Sequence, residues 1–195
     1  MAPHLPGQHR SRLFGLLVAV AGLVALAGCS SGSSSSPPSG TGAPAIGGDP
    51  LDMTGQATQP CRLLTADQLA QHHLGSPGHL VANACAWTAT VAGLPSYTAR
   101  VDLTSGGLTG LYRERSRLAV FQPTVVGEYP AVRTAASRAA LTAGQCTIEV
   151  GVANDTLIIA RITVPKADTP DYTDPCDPLA EFTADIVANG QGRVA

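Results

Sequence analysis

Five cysteines, five histidines and a row of evenly spaced aspartates are the residues of this 195-residue chain that could do chemistry. Cys29 follows Leu26-Ala27-Gly28, and a thiolate is a strong nucleophile and alkyl acceptor. The other four cysteines, Cys61, Cys85, Cys146 and Cys176, are spaced by 24, 61 and 30 residues. No C-x₂₋₄-C knuckle occurs, so a zinc site is not expected. His72 and His73 are adjacent on an expected helix and point about 100° apart, whereas metal pairs use i, i+3 or i, i+4. His79 follows a Gly/Pro loop, so a solvated helix end is the expected role of this group. Asp168, Asp171, Asp174 and Asp177 recur every third residue. A calcium loop needs alternate positions and a central glycine, so helix capping is expected instead. A glycosidase needs two carboxylates placed across a cleft; sequence does not place Glu114, Glu128, Glu149 and Glu181, and Glu149, on the outward face of an expected strand, reads as solvated. Gly75-Ser76-Pro77-Gly78 does not form a nucleophile elbow, and no phosphate-binding or dinucleotide motif occurs. No catalytic residue, metal ligand or cofactor is therefore expected.

The segments that position these residues divide the chain into three. Residues 1–28 read as an export signal: Arg10 and Arg12 precede fifteen residues, Leu13 to Ala27, without a polar side chain. As a helix this run covers about 22 Å, short of the ~20 residues that a bilayer span needs. Leu26-Ala27-Gly28-Cys29 resembles the lipobox of bacterial lipoproteins at all four positions. The resemblance implies cleavage between Gly28 and Cys29, diacylglycerol on the Cys29 thiol and a further acyl chain such as palmitate. Two or three chains anchor stably where one does not. Residues 29–58 are expected to be a flexible linker, since 16 of the 22 residues from 29 to 50 are Ser, Gly or Pro. The formal net charge is −2, and it becomes −4 once Arg10 and Arg12 are removed. A nucleic-acid binder would show a cationic face, and a polybasic membrane-surface protein is excluded on the same ground.

Residues 59–195 are enough for one domain. Its four cysteines are an even number in an exported chain, which reads as a disulfide framework. Pairing in sequence order, Cys61–Cys85 and Cys146–Cys176, is preferred, with Cys61–Cys176 the rival. Each preferred bond closes a loop worth about 3.5 kcal/mol in the chain-entropy model. Thr65-Ala66-Asp67-Gln68 is a capping box, with Leu64 and Leu69 as its staple and Gly75 as the C-cap. Alternation places Cys85, Trp87, Ala89 and Val91 on one strand face, and Tyr97, Ala99, Val101 and Leu103 on another. Thr98, Arg100 and Asp102 then point outward. Cys146, Ile148, Val150 and Val152 repeat the pattern, with Thr147 and Glu149 outward. After a turn at Asn154-Asp155, Thr156 to Val164 is apolar on both faces and should be central. Leu108 to Val120 reads as a short helix, and Tyr129 to Val132 as a short strand. Asp177-Pro178 reads as the cap and first residue of a last helix that buries Leu179, Phe182 and Ile186. The expected class is α+β: an antiparallel sheet of five to six strands with N- and C-terminal helices packed on it.

Pro60-Cys61-Arg62-Leu63-Leu64-Thr65, Cys85-Ala86-Trp87, Gly127 to Val132, Cys146 and Asp174-Pro175-Cys176 carry a resemblance. From Pro60 to Asn189 the chain resembles the actinobacterial lipoproteins catalogued as domain of unknown function 3558. The resemblance implies a lipoprotein at the extracytoplasmic face of the cell membrane and a paired-cysteine framework. It brings no activity and no catalytic residue. A wider likeness to the Mog1/PsbP-type architecture concerns topology alone. Two function classes follow. One is a tethered binding module whose partner is an envelope protein, lipid or glycan. The other is an envelope-directed hydrolase. A pocket of converging carboxylates or histidines separates them.

Overall fold

The computed structural model describes residues 42–166 and 170–192. The expected signal segment, Gly28, Cys29, the linker up to residue 41 and Asp168 lie outside the described residues. The described residues contain seven strands: β1 (His79–Val81), β2 (Ala84–Trp87), β3 (Ser96–Asp102), β4 (Val120–Val126), β5 (Tyr129–Ala135), β6 (Gln145–Gly151) and β7 (Leu157–Thr163). They form one antiparallel sheet in the order β1-β2-β3-β7-β6-β5-β4. The helices are α1 (Thr54–Thr58), α2 (Ala66–Gln71), α3 (Gly107–Glu114), α4 (Arg138–Leu141), α5 (Pro170–Thr173) and α6 (Cys176–Gly190).

The α+β class is as expected, but the strand count of five to six is corrected to seven. Both extra strands are edges. All three residues of β1 are exposed, so it carries no alternation to detect. β4 contains Pro123 and an exposed Val125, a composition tolerated only where one side needs no ladder bonds. The expected helix to Val120 therefore stops at Glu114, followed by a 3₁₀ turn over Arg115–Arg117. Pro130 sits in β5 opposite Val125, while pairing to β6 begins at Ala131, so the missing N–H breaks no bond on that side. β7 lies between β3 and β6, the central place its apolar run indicates.

One face of the sheet carries the main core. Trp87, Tyr129, Ile148, Ile158, Leu179, Phe182 and Ile186 are fully buried there. Phe182 of α6 stacks on Tyr97 with ring centroids 4.4 Å apart and meets Trp87 edge-on at 5.7 Å. Such aromatic pairs add about 0.5–1.5 kcal/mol each beyond area burial. α6 begins at Cys176 with Pro175 at the N-cap, which corrects the expected start at Asp177-Pro178. Both disulfides tie this layer down in the preferred pairing, Cys61–Cys85 and Cys146–Cys176, with Cα separations of 4.9 and 5.3 Å.

The capping box forms as expected, Thr65 and Gln68 exchanging side-chain and backbone hydrogen bonds. The end of α2 differs. His73, not Gly75, adopts the left-handed conformation at φ 56°. The His73 amide donates to Ala70 and the Leu74 amide to Leu69, a Schellman closure. The linker boundary is also corrected. Residues 42–58 belong to the folded domain: Leu51 and Met53 are buried in the core, and the Leu51 amide donates to the Val152 carbonyl at 2.9 Å. Tyr129 Oη donates to the Asp49 carbonyl at 2.7 Å. The Ser/Gly/Pro-rich stretch ends at Pro50, and the expected linker extends past it over two apolar anchors, each worth roughly 1.5–3 kcal/mol on full burial.

Candidate functional site

The second face of the sheet is only half covered. At one end α3 brings Leu108, Leu111 and Tyr112 onto Val132, Leu157 and Ile159, with Ala43 and Phe121 beside them. α3 can lie this close because Gly107, at φ 60°, presents no Cβ to the Asn154 carbonyl. The other end of the face has no element over it among the described residues. Strand register builds it in rows across β3, β7 and β6. Ser96, Thr163 and Gln145 form one row, Thr98, Arg161 and Thr147 the next, and Arg100, Ile159 and Glu149 the third. Three shallow depressions, of about 440, 270 and 150 Å³, all have Arg161 in their walls. Ala84 and Ala86 of β2 keep the floor low toward the β1 edge, where His79 continues the Arg161 row.

Charges on this half-face are unevenly committed. The Asp102 carboxylate accepts from Arg100 Nη1 at 2.9 Å, from the Thr104 amide and hydroxyl at 2.8 and 2.9 Å, and from the Ser105 amide at 3.1 Å. Burial alone would raise its pKa; those four donors outweigh it and hold the carboxyl at about 2. The expectation that Asp102 points to solvent is therefore corrected: it is buried, and Leu103, expected inside, is exposed. Glu149 accepts from Thr134 Oγ1 at 3.1 Å. Burial raises its carboxyl against the pull of the Thr134 hydroxyl and the charges of Arg161 and Arg100. Arg161 is exposed and makes no hydrogen bond or ion pair among the described residues. Its charge still reaches Glu149.

The remaining sequence candidates are dispersed. His72 is bound to Asp185 at 2.8 Å and packs edge-on against Phe182, on the opposite face from His79. The His73 carbonyl accepts from the Thr90 amide and hydroxyl. No group of three or more His, Cys, Asp or Glu is placed to hold a metal among the described residues. Asp177 lies in the first turn of α6 and pairs with Arg133 at 3.2 Å, but no side chain caps that helix. Burial, then the charges of Asp171 and Glu181, push the Tyr97 phenol up to about 12, so it is a neutral packing group. A further cavity, of about 580 Å³, lies beside Asp49, Asp52 and Glu128. There Gln191 Nε2 donates to Glu128 at 2.7 Å and to Tyr129 Oη at 3.3 Å, and the Asp52 carboxylate accepts from the Thr54 amide and hydroxyl.

Sequence reasoning found Thr98, Arg100, Thr147 and Glu149 as outward residues but missed Arg161. β7 reads as covered on both faces because Leu157, Ile158 and Ile159 are. The switch to Arg161 and Thr163 on alternate positions was the available signal that cover ends halfway along the strand. No curated protein and no solved structure matches this chain. A family model does match residues 24–189, spanning the described sheet and α6 as far as Asn189. The chain accordingly belongs to the DUF3558 family, described as protein of unknown function.

Proposed function

We propose that this chain is a membrane-anchored lipoprotein of the extracytoplasmic envelope, processed between Gly28 and Cys29 and lipidated on Cys29. Its domain acts by binding rather than catalysis. The observation that carries the binding reading is the half-covered sheet face, where among the described residues a cation without an ion-pair partner stands among hydroxyls. The partner is envelope material, whether glycan, protein or lipid, and not nucleic acid. The likeness to Mog1/PsbP-type folds belongs to the same reading and concerns topology alone.

Two measurements test it. Phase partitioning with intact-mass analysis should find acyl mass on Cys29, and Cys29→Ser should accumulate unprocessed precursor. A photo-crosslinking residue at Thr147 in intact cells should label envelope material that the same residue at Ala184, exposed on α6, does not label. Absent acyl mass overturns the anchor, and equal labelling from both positions overturns the binding face. One observation favours a second reading, a glycan hydrolase. Glu149 is raised and Asp102 lowered on one face, and such divergence marks acid and base pairs. Turnover of wall glycan that Glu149→Gln abolishes would replace binding with hydrolysis.

A further inference from the structure

The chemistry of the half-face restricts what it can hold. Its uncharged side chains, Ser96, Thr98, Gln145, Thr147 and Thr163, both donate and accept hydrogen bonds. None of them makes a side-chain bond among the described residues. Apolar side chains stand only at the margins of this polar patch: Val81 is half exposed at the β1 edge, Leu118 is half-buried beside Thr134, and Ile159 is buried. A peptide held by its side chains needs apolar pockets. An anionic bilayer needs several cations or an inserted apolar group. Arg161 is one cation: Arg100 is spent on Asp102, and Glu149, the diagonal neighbour of Arg161 across β7 and β6, lines the same depression without forming an ion pair with it. A single guanidinium matches one planar carboxylate, which it grips through two parallel N–H bonds.

We propose that this half-face binds a saccharide bearing a carboxylate, Arg161 taking the carboxylate and Thr98, Thr147 and Gln145 bonding the sugar hydroxyls. The carboxylate approaches Arg161 from the Thr163 and Gln145 side, away from Glu149. The remaining sugar lies along the row toward Ala86 and His79, where the small side chains leave the floor open. This inference rests on the binding reading above and names its ligand class.

The test is calorimetric titration of the full chain with tetragalacturonate, its carboxyl-reduced neutral form, triglycine and vesicles containing anionic lipid. Tetragalacturonate should bind at least tenfold more tightly than the reduced form and more tightly than triglycine or vesicles. Arg161→Gln should weaken it at least tenfold, Arg161→Lys should restore part of the loss, and Thr147→Val should weaken it severalfold. Arg138→Gln, exposed on α4, should change nothing. Equal affinity for acid and reduced forms, an unaffected Arg161→Gln, or stronger binding of triglycine or vesicles each overturns the assignment. If tetragalacturonate fails while the Thr147 crosslink persists, the saccharide acid is wrong and the binding reading stands. If both fail, both fall.

Discussion

The two faces of β3, β7 and β6 are made by alternate residues of the same three strands, yet they obey different rules. On the helix-covered face Tyr97, Ala99, Val101, Cys146, Ile148, Val150, Ile158, Ala160 and Ile162 are all buried. On the other, Thr98, Arg161, Thr163, Gln145 and Thr147 meet solvent. Backbone pairing is shared, so the difference lies in side-chain burial alone. A change on the first face is resisted by close-packed neighbours. On the second it costs the fold little and alters what can dock. Stability and recognition are thereby separated by one residue step along a strand.

The contrast sets an order of expected effects. Phe182→Ala, at the centre of the covered face, should cost about 3–5 kcal/mol in chemical denaturation; a loss below ~1 kcal/mol would mean that this face is not tightly packed. Removing the second disulfide through Cys146→Ser with Cys176→Ser should cost about 2–5 kcal/mol, read as a lower melting midpoint that reductant no longer shifts as far. Asp102→Asn is intermediate, about 1–2 kcal/mol at pH 7. The folded carboxyl sits at about 2, below its ordinary 3.8. Its stabilisation is therefore present above the ordinary value and is lost as pH falls through about 2. The gap between wild type and Asp102→Asn should close over that window, and a gap constant with pH would refute the assignment. Arg161→Gln should leave stability within about 0.5 kcal/mol of wild type while weakening carboxylate binding. Glu149→Gln is the smallest effect, below about 0.5 kcal/mol and stabilising at pH 7. Burial opposes ionisation of Glu149, so the advantage of Gln should fade as pH falls through the raised folded value toward 4.5 and be gone below it, where both states are protonated.

Elements held by local chemistry were legible in advance. The Thr65 capping box, the buried side of α6 at Leu179, Phe182 and Ile186, and the alternation from Cys146 to Val152 all depend on neighbours within a few residues. What escaped depends on tertiary placement. β1 and β4 exist because β2 and β5 offer them ladder bonds, not because His79-Leu80-Val81 or a strand containing Pro123 prefers to be extended. Arg161 gains meaning only because α3 stops over Ile159 and leaves the next row bare. His73 takes φ 56° because the Schellman closure falls there, although Gly75 stands two residues on. Leu51 and Met53 stand just past the Ser/Gly/Pro-rich stretch and belong to no periodic run, yet the core has places for both.

Those two anchors change the mechanics of the proposed tether. With residues 43–58 strapped to the domain, only fourteen residue steps separate Cys29 from Ala43. A fully extended chain covers at most about 3.6 Å per residue, so the leash stops at roughly 50 Å, where thirty free residues would have allowed about 105 Å. Confinement to so thin a shell raises the effective concentration of the binding face toward anything fixed at the same height. It also places ligands beyond that height out of reach, however tightly they would bind in solution. The strap thus acts as a ruler: inserting residues before Ala43 would change which layer of the envelope the domain can sample while leaving its affinity untouched.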